Sequence, residues 1–122
     1  MNFSFLKIDH IQLAAPAGSE DKARSFFSTI LGLTEIEKTS VLKKRGGVWF
    51  QLGGQQQLHI GIEEPFSPAK KAHPAFTVKN LSSLKDHLQN KHVPYKEDTL
   101  IPDVNRIYIE DPFGNRIEII GE

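Results

Sequence analysis

The order of secondary-structure signals repeats once along the chain, and that repeat constrains the fold more than any single motif. Residues 5–15 read as a strand that ends at Pro16. Ala17-Gly18-Ser19 breaks it, with Ser19 placed as a helix N-cap. Ala23, Phe26, Phe27, Ile30 and Leu31 follow at helical spacing, and Gly32 supplies a stop. Short strands are predicted over 34–38, 48–52 and 58–62, separated by the Gly46-Gly47 and Gly53-Gly54 turns. After a linker at 63–72, with two prolines and Lys70-Lys71, the order recurs. A strand spans 73–78, a helix 81–91 with Leu81, Leu84 and Leu88 on one face, and a short strand 95–98. A hairpin of 104–110 and 116–121 closes the series around Asp111-Pro112-Phe113-Gly114-Asn115.

The expected architecture is therefore α+β: two β-α-β-β-β modules forming a cupped mixed sheet with helices on the outer face. A single domain over 1–122 holds module one at about 5–62 and module two at 73–121. At 122 residues the chain is long enough to bury a real core, and 39% hydrophobic with 25% charged residues is an ordinary globular balance.

Side chains alternate across a strand, so parity sorts them by face. Ile11 and Leu13 share one face, opposite His10 and Gln12; Leu58, Ile60 and Ile62 oppose His59. In module two, Phe76 and Val78 oppose His73, and Ile117 and Ile119 oppose Glu118. Each of these strands has an apolar face suited to packing under a helix and a metal-ligand candidate on the other. His10 and His73 open the two modules 63 residues apart, and His59 and Glu118 sit in their last strands 59 residues apart. The same parity puts Trp49, Gln51, Arg106 and Tyr108 on the ligand face as candidate substrate-binding residues. Arg106 suits a substrate carboxylate or phosphate, or alternatively a salt bridge to Glu118 or another carboxylate. His87 and His92 read as surface residues.

Cysteine is absent, so any metal must use imidazole and carboxylate, and disulfides and thiol nucleophiles are excluded. Fifteen basic residues balance fifteen acidic ones, which gives nucleic acid no long-range attraction. No apolar run reaches the length of a membrane span, and the N-terminus lacks a leader pattern, so a cytoplasmic protein is expected. No phosphate-binding loop or serine nucleophile elbow is present.

Four segments resemble the glyoxalase/bleomycin-resistance/extradiol-dioxygenase group, the vicinal oxygen chelate superfamily. They are Ile8-Asp9-His10-Ile11-Gln12-Leu13, the stretch Ala23-Arg24-Ser25-Phe26-Phe27 leading to Ile30-Leu31-Gly32-Leu33, Ala72-His73-Pro74-Ala75-Phe76-Thr77-Val78, and residues 108–120 with the Asp-Pro-x-Gly turn before Glu118. The resemblance implies paired modules around one divalent metal (Zn, Ni, Mn, Co or Fe(II)) and a homodimer. His10, His73 and Glu118 match the family's ligand positions. His59 falls where metal-dependent glyoxalases have Glu and methylmalonyl-CoA epimerases Gln, a departure from both. The implied activity is a metal-dependent lyase or isomerase of the glyoxalase kind, acting on a small oxygenated metabolite by bidentate chelation, with Glu118, or a His displaced from the ion, suited to carry the proton. The alternatives are an Fe(II) extradiol-type dioxygenase using two His and one carboxylate, and a metal-free ligand-sequestering protein of the bleomycin-resistance kind. In the enzyme readings one site draws on both modules, from one chain or from two.

Overall fold

A computed structural model describes all residues, Met1–Glu122. The chain divides into two compact units, Met1–Glu63 and Glu64–Glu122. Each builds its own four-stranded mixed sheet.

The first unit contains β1 (His10–Ala15), β2 (Thr34–Ile36), β3 (Val48–Gln51) and β4 (Gln57–Ile62) in the order β1-β4-β3-β2. β1 runs parallel to β4, and β3 is antiparallel to both its neighbours. The second unit repeats this with β5 (Ala75–Val78), β6 (Lys96–Asp98), β7 (Arg106–Glu110) and β8 (Arg116–Gly121), ordered β5-β8-β7-β6 with the same strand senses. Both parallel pairs need a crossover, which the helical segments supply. Three helical segments appear: α1 (Glu20–Ala23), which continues as a π-helical stretch Arg24–Ile30, then α2 (Ser40–Lys43) and α3 (Leu81–Asn90).

Burial follows the parity of the sequence. Leu13, Ala15, Val48, Phe50, Leu58 and Ile60 are buried beneath Phe26 and Phe27 in unit one; Ile107, Ile109, Ile117 and Ile119 are buried with Leu81 and Leu88 in unit two. In the π-helical stretch Leu31 N–H reaches back five residues to Phe26 O. This wider turn leaves the adjacent Phe26 and Phe27 both buried, with Phe27 5.4 Å from the Phe50 ring.

Several boundaries differ from expectation. The first strand starts at His10, not residue 5, because its parallel partner begins at Gln57, opposite His10. Phe3, Phe5, Leu6 and Ile8 lie outside the ladder and are exposed. His73 stands before β5 rather than in it. β7 begins at Arg106, two residues later than the pattern suggested, and α2 was not expected. Ser19 occupies the N-cap position, but its hydroxyl donates to Pro16 O instead of capping the helix.

The Asp111–Asn115 turn is built by its own side chains. Asp111 Oδ1 accepts from the amides of Phe113 and Asn115, and Asn115 Nδ2 donates to Asp111 Oδ2, each at 2.9 Å. Gly114 takes φ +91°, a conformation that favours glycine. Asn115 Oδ1 accepts from Ala69 N–H, and Arg116 N–H donates to Ala69 O, so the turn also pins the incoming segment and fixes where β8 starts.

Candidate metal centre

In unit one the register places His59 directly opposite Gln12 on β1 and Trp49 on β3. The His59 ring lies between two others: 4.1 Å from His10 at 16°, and 4.1 Å from Trp49 at 6°. His59 is only 5% exposed, although it lies on the polar side of its strand. Burial pushes its pKa below the ordinary histidine value, and the nearby His10 adds to this. Gln57 Oε1 lies 2.9 Å from His59 Nε2, which favours a proton there and leaves the Nδ1 lone pair available. His10 Nδ1 meets Asp9 Oδ2 at 3.0 Å, leaving Nε2 as its donor atom. That contact is the first cause of a lowered Asp9 pKa.

Unit two repeats the geometry with a carboxylate in place of one imidazole. Ala75 pairs with Glu118 just as Gln12 pairs with His59, and Tyr108 faces Glu118 as Trp49 faces His59. His73 Nε2 lies 3.0 Å from Glu118 Oε1, and His73 Nδ1 donates to Lys71 O at 2.8 Å. Glu118, 7% exposed, is held on its other oxygen by Arg106 Nη1 at 3.3 Å. Burial alone would raise the Glu118 pKa, but the hydrogen bonds from His73 and Arg106 outweigh it and hold the carboxyl below its ordinary value. Arg106 Nη2 donates in turn to Asp98 Oδ2 at 2.9 Å, while its buried Nε has no partner. Tyr108 stands edge-on to His73 at 5.7 Å, with Arg116 4.0 Å above its ring.

The donor pair in unit two fits a divalent cation. Metal–ligand bonds of about 2.0–2.2 Å at tetrahedral or octahedral angles put neighbouring donor atoms about 3 Å apart, close to the 3.0 Å seen between His73 and Glu118. A backbone carbonyl on the far ring nitrogen is the usual support of a metal-binding histidine. No group of three or more His, Asp or Glu side chains placed to hold a metal ion is present in the structure. Each unit holds one pair of candidate donors: His10 with His59, and His73 with Glu118.

Of the remaining candidates, Trp49 and Tyr108 lie beside these pairs. Gln51 spends its amide on the β3–β4 turn, donating to Leu52 O, Gly54 O and Gln56 O. Arg106 is engaged by Asp98 and Glu118. Sequence reasoning missed Asp98 as the anchor of Arg106 and Arg116 as the cation over Tyr108. The i, i+2 spacing of Arg116 and Glu118 was the available signal.

The family profile described as Glyoxalase/Bleomycin resistance protein/Dioxygenase superfamily matches residues 7–119. The chain belongs to that superfamily. A solved protein from Bacillus anthracis assigned to the glyoxalase family is 47% identical, with a TM-score of 0.96 over 100% of this chain and 99% of that one. Lactoylglutathione lyase from Agrobacterium tumefaciens has 20% identity and a TM-score of 0.74, covering 94% and 92%. TnmS3, an antibiotic binding protein from Streptomyces, has 16% identity and a TM-score of 0.77, covering 98% of each chain. The last two show a shared fold alone. No curated protein matches the chain. No helix is long and apolar enough to cross a membrane.

Proposed function

We propose that the chain is a metal-dependent lyase or isomerase of the glyoxalase kind, active as a homodimer in the cytoplasm on a small oxygenated metabolite. His10, His59, His73 and Glu118 hold one divalent cation per site. The observation that carries this reading is the 3.0 Å His73–Glu118 pair, with His73 oriented by Lys71 O.

A bound divalent cation supplies Lewis acidity to vicinal substrate oxygens. Glu118 carries a proton between adjacent substrate atoms, because Arg106 and His73 keep its carboxylate ionised and ready to accept. Trp49 and Tyr108 form flat walls that orient the substrate and exclude water. Arg106, fixed by Asp98, holds Glu118 from behind and acts as a positioning residue.

A second reading, sequestration of a ligand without metal, is favoured by one contact: Arg106 already neutralises Glu118. Turnover separates the two. Chelator-stripped protein, reloaded with single cations, is assayed against small 2-oxoaldehydes combined with thiols and against 2-hydroxy ketones. The proposal requires conversion that depends on the cation and disappears in Glu118→Gln. Conversion that survives both stripping and Glu118→Gln contradicts it.

A further inference from the structure

An open cavity of about 600 Å³ lies on the ligand face of unit two, lined by Lys70, Lys96, Tyr95, Tyr108, Glu110 and Arg116 among others. It adjoins the His73–Glu118 pair, since Tyr108 lines it and pairs directly with Glu118. Arg116 is two residues from Glu118 on the same face of β8, about 7 Å along the strand.

The charges lining it are not balanced. Lys70 meets Glu110 at 3.5 Å, a solvent-exposed pair of little strength. Lys96 and Arg116 form no ion pair, although Glu110 lies across the ladder from Arg116, and the Arg116 guanidinium carbon sits 4.0 Å from the Tyr108 ring centroid. A cavity of similar size in unit one differs in this respect. There Arg24 is paired with Glu35 and Asp21, Lys43 with Glu37, and Lys38 with Gly46 O, so its cations are already satisfied. Arg106, the sequence's first choice for an anionic substrate group, is likewise used up by Asp98 and Glu118.

We infer that Lys96 and Arg116, with Tyr108 as the wall, form the subsite that binds an anionic oxo group, carboxylate or phosphate, of the substrate. This rests on the proposed function, and it names the substrate class as a small anionic metabolite whose charged group extends along β8 from the chelating oxygens. Guanidinium and ammonium groups held beside an aromatic face suit a planar carboxylate or a phosphate.

The test uses chelator-treated full-length protein at constant ionic strength, titrated with inorganic phosphate and, separately, with succinate. Two-dimensional ¹H–¹⁵N spectra follow Arg116 Nε–H and the amides of Lys96 and Tyr108. The expected result is saturable shifts confined to these residues, with affinity falling about tenfold in Lys96→Gln and in Arg116→Gln. Whichever of the two anions saturates identifies the oxo group. Shifts that are linear for both anions, or that saturate unchanged in both variants, overturn the inference. Because the titration is metal-free, it reads only this subsite. Metal content of His73→Ala reads only the proposed function, so the two can fail separately.

Discussion

Arg106 places its Nη1 3.3 Å from Oε2 of Glu118, setting a permanent positive charge against the one carboxylate among the proposed ligands. The pair is largely buried, and so is Asp98 behind it. A largely buried charge stripped of its partner is costly, so Arg106→Met leaves Asp98 and one oxygen of Glu118 without their cation and lowers stability. Urea unfolding of the metal-free protein measures this. Arg106 and a bound cation also compete for Glu118, so the same variant binds metal more tightly, which calorimetry reads directly. Weaker metal binding in Arg106→Met would contradict the competition.

Gly47 tests how closely β3 and β4 approach. It has φ +87°, and a Cβ there falls 2.3 Å from Ile60 O, a backbone atom with nowhere to move. Gly54 has φ +67° with nothing within 4 Å. Gly54→Ala therefore costs only the left-handed conformation, about 1–2 kcal/mol. Gly47→Ala adds a backbone clash and costs more, enough to prevent folding or displace β4. Equal thermal melting of the two variants would refute this account of the turn.

Glu20 gives unit one a dependence on pH. Its Oε2 accepts from Gly47 N–H at 2.8 Å, and this bond is the first cause of a pKa below the ordinary glutamate value. A depressed folded-state pKa contributes stability above the unfolded value, about 4.3, and loses it as pH falls through the folded value. Acidification from pH 5 to pH 3 should therefore destabilise wild type more than Glu20→Gln. The difference at pH 6 is about 1 kcal/mol, since the side chain is partly exposed. Parallel unfolding curves for the two proteins across this range would count against it.

Trp49, the one tryptophan, is stacked on His59 and so reports on unit one. Binding of Co(II) or Ni(II) at His10 and His59 quenches its emission saturably. His59→Ala removes that response while His87→Ala retains it. A response untouched by His59→Ala would place the cation elsewhere.

The repeat, the strand parity and the closing turn were legible because each rests on local signals: alternation for Val48 and Phe50, turn chemistry for Asp111 to Asn115. Boundaries were less so. Strand signal continued upstream to Phe5, but a strand exists only where a partner is present, and that partner starts at Gln57. Parity also placed His59 and Glu118 on the polar face without revealing that both are buried, because burial there depends on Trp49, His10, Tyr108 and Arg106 arriving from other strands. The salt bridge from Arg106 to Glu118 was among the expectations, but its second partner was hidden for the same reason, since Asp98 reaches it through the β6–β7 register.

The proposed function requires His10, His73 and Glu118 to be metal ligands. Metal content of untagged wild type, His10→Ala, His73→Ala and Glu118→Gln tests it most directly. The expected result is about one transition metal per chain in wild type, lost or much weakened in every variant. Wild type that stays metal-free after reloading, or variants that keep a full complement, would contradict it.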